Sequence, residues 1–125
     1  MSYFLGLDIG SSSIKASILD AQSGKELTSA QSPDKELHMI THQPGWAEQE
    51  PETWWEHVQI VIRKIGSDYN LKEVSGIGIA YQMHGLVLVD NEQNVLRPSI
   101  IWCDSRAVSY GRMLIDKLGR DVILS

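Results

Sequence analysis

The chain has 125 residues, 42% of them hydrophobic, which is enough for one compact core and too short for two ordinary domains. Its formal net charge of -5, from 16 acidic and 11 basic residues, is spread along the chain and leaves no basic stripe for a nucleic-acid backbone. Cys103 is the one cysteine, so an internal disulfide is excluded. No apolar run approaches the roughly 20 residues that span a bilayer and the N-terminus has no basic leader, so a soluble cytoplasmic protein is expected.

Tyr3 to Ile9 alternates Leu5, Leu7 and Ile9 against Gly6 and Asp8, and Ile14 to Leu19 is a second short β-type run. Only Gly10 to Ser13 separate them. A parallel return needs a crossover of a dozen or more residues, so the pair is expected to form an antiparallel hairpin. After the turn signal Ser23-Gly24, a third strand over Lys25 to Ala30 would complete a meander.

The clearest helix begins at "EPETWWEHVQIVIRKIG". Pro51 suits a first helical position, acids lie in the first turn, and Arg63 and Lys64 lie in the last turn before Gly66. Trp54, Val58, Val61, Ile62 and Ile65 recur at spacings of three and four, which makes one apolar face for packing on the sheet. "VSGIGIA" then reads as a buried strand, its Gly76, Gly78 and Ala80 leaving one face flat for a close neighbour. A hairpin is expected from Leu86 to Asp90 and Val95 to Trp102 around "DNEQN", and Ser105 or Asp104 would cap a last helix running to about Leu118. Strands, helix, strand, hairpin and helix in that order predict an α/β layered domain with a mixed sheet.

Three stretches carry candidate chemistry. In "LDIGSSSIK", Asp8 ends a strand, where a carboxylate can hold Mg²⁺ through water. Gly10 admits close backbone approach, Ser11, Ser12 and Ser13 add hydroxyls to backbone N–H groups, and Lys15 supplies a cation. The plain alternative is a tight turn beside a solvated acid, and the local pattern by itself favours it. A strand follows the glycine where a Walker loop or a dinucleotide fingerprint would need a helix. In "YQMHG", Gln82 and His84 offer neutral hydrogen-bond groups suited to a polyol at the carboxyl end of a strand, although a lone histidine is more often structural and Met83 is ordinarily core filler. In "IIWCDSR", Trp102 can lay a flat face against a sugar while Asp104 and Arg106 pair or meet hydroxyls; a buried tryptophan before a capped helix with a local salt bridge explains the same residues equally well.

Together with "HQPGWAEQEPETWW", these stretches resemble the FGGY family of carbohydrate kinases, its xylulokinases above all, in unbroken order from Tyr3 to about Leu118. The resemblance implies an actin-like, ribonuclease-H-like ATPase fold, and transfer of the γ-phosphoryl group of ATP to a ketose such as D-xylulose. It implies Asp8 beside Mg²⁺, Gly10, Ser11, Ser12, Ser13 and Lys15 around the nucleotide phosphates, and Met83, His84 and Trp102 at the sugar, next to the Gln82 read there from the residues themselves. Asp104 and Arg106 match its Trp-x-Asp-x-Arg segment, touching the sugar or shaping its site. Glycerol kinases carry Arg-Glu where this chain has Met83 and His84, which argues for a ketose; Cys103 and Ser105 replace the Asn and Gly usual in xylulokinases, which leaves gluconate or ribulose open as substrate.

The same resemblance makes residues 1–125 the start of the first, sugar-binding domain, with the catalytic base, the adenosine pocket and the second lobe expected downstream. The implied partners are a small-molecule sugar and ATP, with no nucleic acid and no membrane, and a homodimer left open. A non-catalytic sugar-binding fragment and an actin-like ATPase without a sugar substrate are the alternative readings.

Overall fold

The computed structural model describes all residues from Met1 to Ser125. Three strands, β1 (Tyr3–Ile9), β2 (Ile14–Asp20) and β3 (Glu26–Ser32), form the expected antiparallel meander. The β2–β3 turn is made by Asp20, whose carboxylate accepts from the Ser23 N–H and hydroxyl at 2.6 Å each, and by Gly24 at φ +70°. The chain then passes through a two-residue strand, β4 (Glu48–Gln49), into helix α1 (Pro51–Gly66), and returns after a 3₁₀ turn at Leu71–Glu73 as β5 (Val74–Tyr81). Because β5 enters on the far side of β1 and parallel to it, the sheet order is β3-β2-β1-β5 and the sheet is mixed.

One core holds this layer together. Tyr3, Leu5 and Leu7 of β1 and Ile14, Ala16 and Ile18 of β2 turn the same way, as period-two alternation demands, and meet Val58, Val61 and Ile65 of α1. Ile14, Ile18 and Val61 are completely excluded from solvent, and Trp54 and Ile62 pack partly buried against them, so the anticipated helix face is the packed one.

Three expectations need correction. β5 is an edge strand: α1 lies over β2 and β3, so Ile77, Ile79 and Tyr81, which share the α1 face with their β1 partners Leu5, Leu7 and Ile9, stay 61%, 58% and 74% exposed beyond the helix's reach. The hairpin from Leu86 to Trp102 is irregular. It has isolated bridges at Val89–Val95 and Leu86–Ile100, and its only strand, β6 (Ser99–Ile100), pairs with β4. The last long helix, α2 (Val108–Leu118), starts after Ala107 with no side-chain cap, because Asp104 and Ser105 are bound elsewhere; α3 (Arg120–Leu124) follows it.

Candidate functional site

The hairpin turn Gly10–Ser13 sits at the carboxyl end of β1. Gly10 N–H donates to the Ser13 carbonyl at 3.2 Å, and a β-carbon on Gly10 would stand a tight 3.0 Å from that same oxygen, so the turn favours glycine. The carbonyls of Ser11 and Ser12 are also engaged. Ser12 O accepts from the Leu37 N–H at 2.7 Å, and Ser11 O accepts from Gln49 Nε2 at 2.6 Å. Gln49 is 2% exposed and uses its amide in both senses, since its Oε1 accepts from Trp54 Nε1 at 3.0 Å. With its carbonyls held inward, the turn leaves the N–H groups of Ser11, Ser12 and Ser13 without protein acceptors. Such a run of free amides is a concavity for an anion.

Asp8 and Lys15 are cross-strand partners directly behind this turn. Alternation puts them on the sheet face away from α1, where they line a shallow concavity with Gly6, Ser17, Glu26 and Ser29. Both are exposed, and neither joins an ion pair. No group of three metal-ligating side chains gathers anywhere in the chain. A single free carboxylate next to free amides nevertheless suits Mg²⁺, which takes one or two carboxylates and completes its shell with water and phosphate oxygens.

The end of β5 lies beside the end of β1, joined by the Gln82 N–H to the Ile9 carbonyl at 3.2 Å. Here a cavity of about 380 Å³ opens, on the α1 side of the sheet, among Ile9, Trp54, Tyr81, Gln82, Met83, His84, Gly85, Val87 and Ser99. Both polar atoms of the Gln82 amide are sealed from solvent without a hydrogen-bond partner. An orphaned buried amide costs on the order of 1–3 kcal/mol, so its neighbourhood calls for a polar ligand. His84 adopts φ +60°, a left-handed conformation uncommon outside glycine, and Leu86 and Ile100 clamp the loop behind it by reciprocal backbone bonds of 2.8 and 3.2 Å.

The third stretch divides between two roles. Trp102 is 58% exposed and its Nε1 donates to Ser11 Oγ at 3.1 Å, so it stands against the hairpin turn. Asp104 and Arg106 face inward. The Asp104 side chain, 2% exposed, accepts from Ala47 N–H at 2.7 Å, from Arg106 N–H at 2.8 Å, and from the Arg106 guanidinium at 2.7 to 3.0 Å. Arg106 also pairs with Glu48 at 2.8 Å and stacks 3.8 Å over the Trp46 ring; Arg97 joins the same Glu48 carboxylate. The guanidinium of Arg106 holds the Asp104 carboxyl down from 3.8 to about 2, and the Arg106 pKa rises in return, through its hydrogen bonds to Asp104 first and to Glu48.

The structure therefore brings Ser11 to Trp102, and Gln82, Met83 and His84 to one cavity. It puts Asp8 and Lys15 on the other sheet face and turns Asp104 and Arg106 into a clamp between residues 46–48 and 102–106. Sequence reasoning missed Gln49, Glu48, Trp46 and Trp54 as contributors. Their one signal was membership of "PGWAEQEPETWW", one of the stretches that carry the family resemblance.

Residues 3–124 match the model of the FGGY family of carbohydrate kinases, N-terminal domain. The chain is 39% identical over 111 residues to the xylulose kinase of Escherichia coli K12, covering 89% of this chain and 22% of that protein. It superposes on a solved xylulose kinase of Brucella ovis with a TM-score of 0.82 at 35% identity, over 92% of this chain and 24% of the other. A gluconate kinase from Lactobacillus acidophilus superposes with a TM-score of 0.86 at 25% identity, over 98% and 24%. The chain thus spans about a quarter of the length of the relatives it matches.

Proposed function

Because the chain belongs to the FGGY family of carbohydrate kinases, with the actin-like ATPase fold of its solved relatives, we propose that it forms the sugar-holding start of an ATP-dependent ketose kinase. The preferred reaction is phosphorylation of D-xylulose to D-xylulose 5-phosphate. The observation that carries the reading is the polarity of the Gly10–Ser13 turn: every carbonyl from Ser11 to Ser13 is occupied and the three N–H groups are free.

Phosphoryl transfer is mostly positioning and charge neutralisation, so each residue can be given its part. The amides of Ser11, Ser12 and Ser13 bind phosphate oxygens, Gly10 lets them approach, and Lys15 adds positive charge from β2. Asp8 would hold Mg²⁺, and that ion would supply charge neutralisation at the phosphates. Gln82 and His84 meet sugar hydroxyls, Met83 and Trp102 supply apolar walls, and Asp104 and Arg106 shape the site by fixing the segment that carries Trp102. In this reading the proton acceptor for the sugar hydroxyl, the adenosine pocket and a second lobe are supplied from outside residues 1–125, which match only about a quarter of the relatives' length. A cytoplasmic location fits this chemistry, which needs ATP, and no helix of the chain is long and apolar enough to cross a membrane.

Gluconate is the second reading, favoured by the superposition on a gluconate kinase. The cavity walls speak for a neutral ketose, because a sugar acid gains from a cation and the lining offers an amide, an imidazole and apolar groups. Coupled ADP-release assays of the full-length protein with D-xylulose, ribulose, gluconate and glycerol test both readings. The highest kcat/KM is expected with D-xylulose; a preference for gluconate would replace the substrate, and no ADP release with any sugar would overturn the kinase assignment.

A further inference from the structure

We propose that Ser11 couples the two substrate sites, so that binding of sugar or nucleotide tightens binding of the other through one hydrogen bond. The inference rests on the reading of the hairpin turn as a phosphate seat and of Trp102 as a sugar wall. Ser11 Oγ and Trp102 Nε1 lie 3.1 Å apart across 91 positions of sequence, and Ser11 Oγ is the only acceptor the indole N–H meets. The ring is otherwise 58% exposed, so this bond is its one polar tether.

The two ends of that tether differ in freedom. The Ser11 backbone is fixed, because buried Gln49 holds its carbonyl at 2.6 Å and the neighbouring Ser12 carbonyl is held by Leu37. The Ser11 hydroxyl and the exposed indole are tied by single bonds about which each side chain can turn. A hydroxyl accepting from an indole keeps its own O–H to donate, and the accepted bond makes that O–H a stronger donor. The free amides belong to the same turn, so the anion they would receive is the one it would donate to.

A sugar lying against Trp102 stops the ring and with it sets the Ser11 rotamer. A nucleotide phosphate that then accepts from Ser11 no longer carries the ordering cost of either side chain, and the converse order gives the same gain. Linkage requires the two factors to be equal. A neutral hydrogen bond supports a coupling of about threefold to tenfold.

Titration calorimetry on the full-length protein tests this, using a non-hydrolysable ATP analogue with and without the sugar that the ADP assay selects, and that sugar with and without the analogue. The wild type is expected to show the same about threefold to tenfold tightening in both directions. Ser11→Ala is expected to bring the factor close to one while each ligand still binds alone, and Ser11→Thr, which keeps the hydroxyl, is expected to retain it. Coupling that survives in Ser11→Ala, as closure of two lobes alone would produce, overturns the proposal, as does a wild type with no coupling. A protein that phosphorylates sugar without this coupling defeats the proposal and leaves the kinase reading standing; a protein that phosphorylates no sugar defeats both.

Discussion

Replacing Asp104 by asparagine tests whether the clamp beneath Trp102 is electrostatic. Asp104 is depressed from 3.8 to about 2, chiefly by its hydrogen bonds to Arg106, and its side chain is 2% exposed, so solvent screens the pair little. That depression corresponds to roughly 2 kcal/mol in favour of the charged, folded form, or some tens of fold in a local opening equilibrium that exposes the carboxylate. The sign follows from the direction. A carboxylate with a lowered folded pKa contributes fully above its unfolded value, near pH 4, and the contribution fades as pH falls through about 2. At pH 3 roughly half of it remains, an effect on the order of tenfold. The Ala47 amide, which donates to Asp104 Oδ2 at 2.7 Å, reads the opening directly by hydrogen exchange. Asp104→Asn is expected to lower its protection, corrected for intrinsic rate, by up to some tens of fold at pH 7 and by about tenfold at pH 3. Equal losses at the two pH values, or none at pH 7, would refute the electrostatic account and leave a packing role.

Two further substitutions probe the loop that carries this clamp. Gln49→Leu removes the donor to Ser11 O and the acceptor for Trp54, leaving buried polar groups unpaired, so thermal unfolding of the full-length protein should register a loss of about 1–3 kcal/mol and the KM for ATP should rise. Gly45→Ala meets two obstacles, a φ of +79° and a new β-carbon 2.5 Å from Ser105 Oγ. Its cost is expected to exceed about 1–2 kcal/mol in thermal unfolding, and adding Ser105→Gly should recover the steric share and leave the backbone share.

How much of this was legible depended on the range of each interaction. The β1–β2 hairpin and α1 were readable because their evidence is local: period-two alternation through Leu5 and Leu7, a four-residue gap, and Val58, Val61 and Ile65 at helical spacing. The clamp was not, because its bonds join Ala47 to Asp104 and Glu48 to Arg106, and two-residue strands such as β4 and β6 are too short to show a period. Asp104 had the composition of a helix cap and was drawn away by the stronger attraction of Arg106. β5 was read as buried since Ile77 and Ile79 are apolar, but hydropathy reports what a side chain favours and not whether α1 reaches it. Gln82 and His84 were flagged by their place at a strand end and Met83 by resemblance alone; that the Gln82 amide is orphaned is visible only in three dimensions.

The Gly10–Ser13 turn shows why local pattern favoured the bland answer. A glycine followed by three serines closes an antiparallel hairpin as well as it seats a phosphate, and nothing within those residues chooses. The choice is made by Leu37 and Gln49, which take the Ser12 and Ser11 carbonyls from 25 and 38 positions away, and by Gly10, which takes that of Ser13. An acceptor-rich turn would repel an anion; one whose acceptors are already engaged attracts it. Exposing those carbonyls by loosening the Gln49 anchor should therefore weaken nucleotide binding even where every serine is kept. Gln49→Leu, compared with Ser12→Ala in ATP KM, separates the two contributions: if binding depends on the serine hydroxyls alone, the Gln49 variant will bind ATP as the wild type does, and the argument from carbonyl engagement fails.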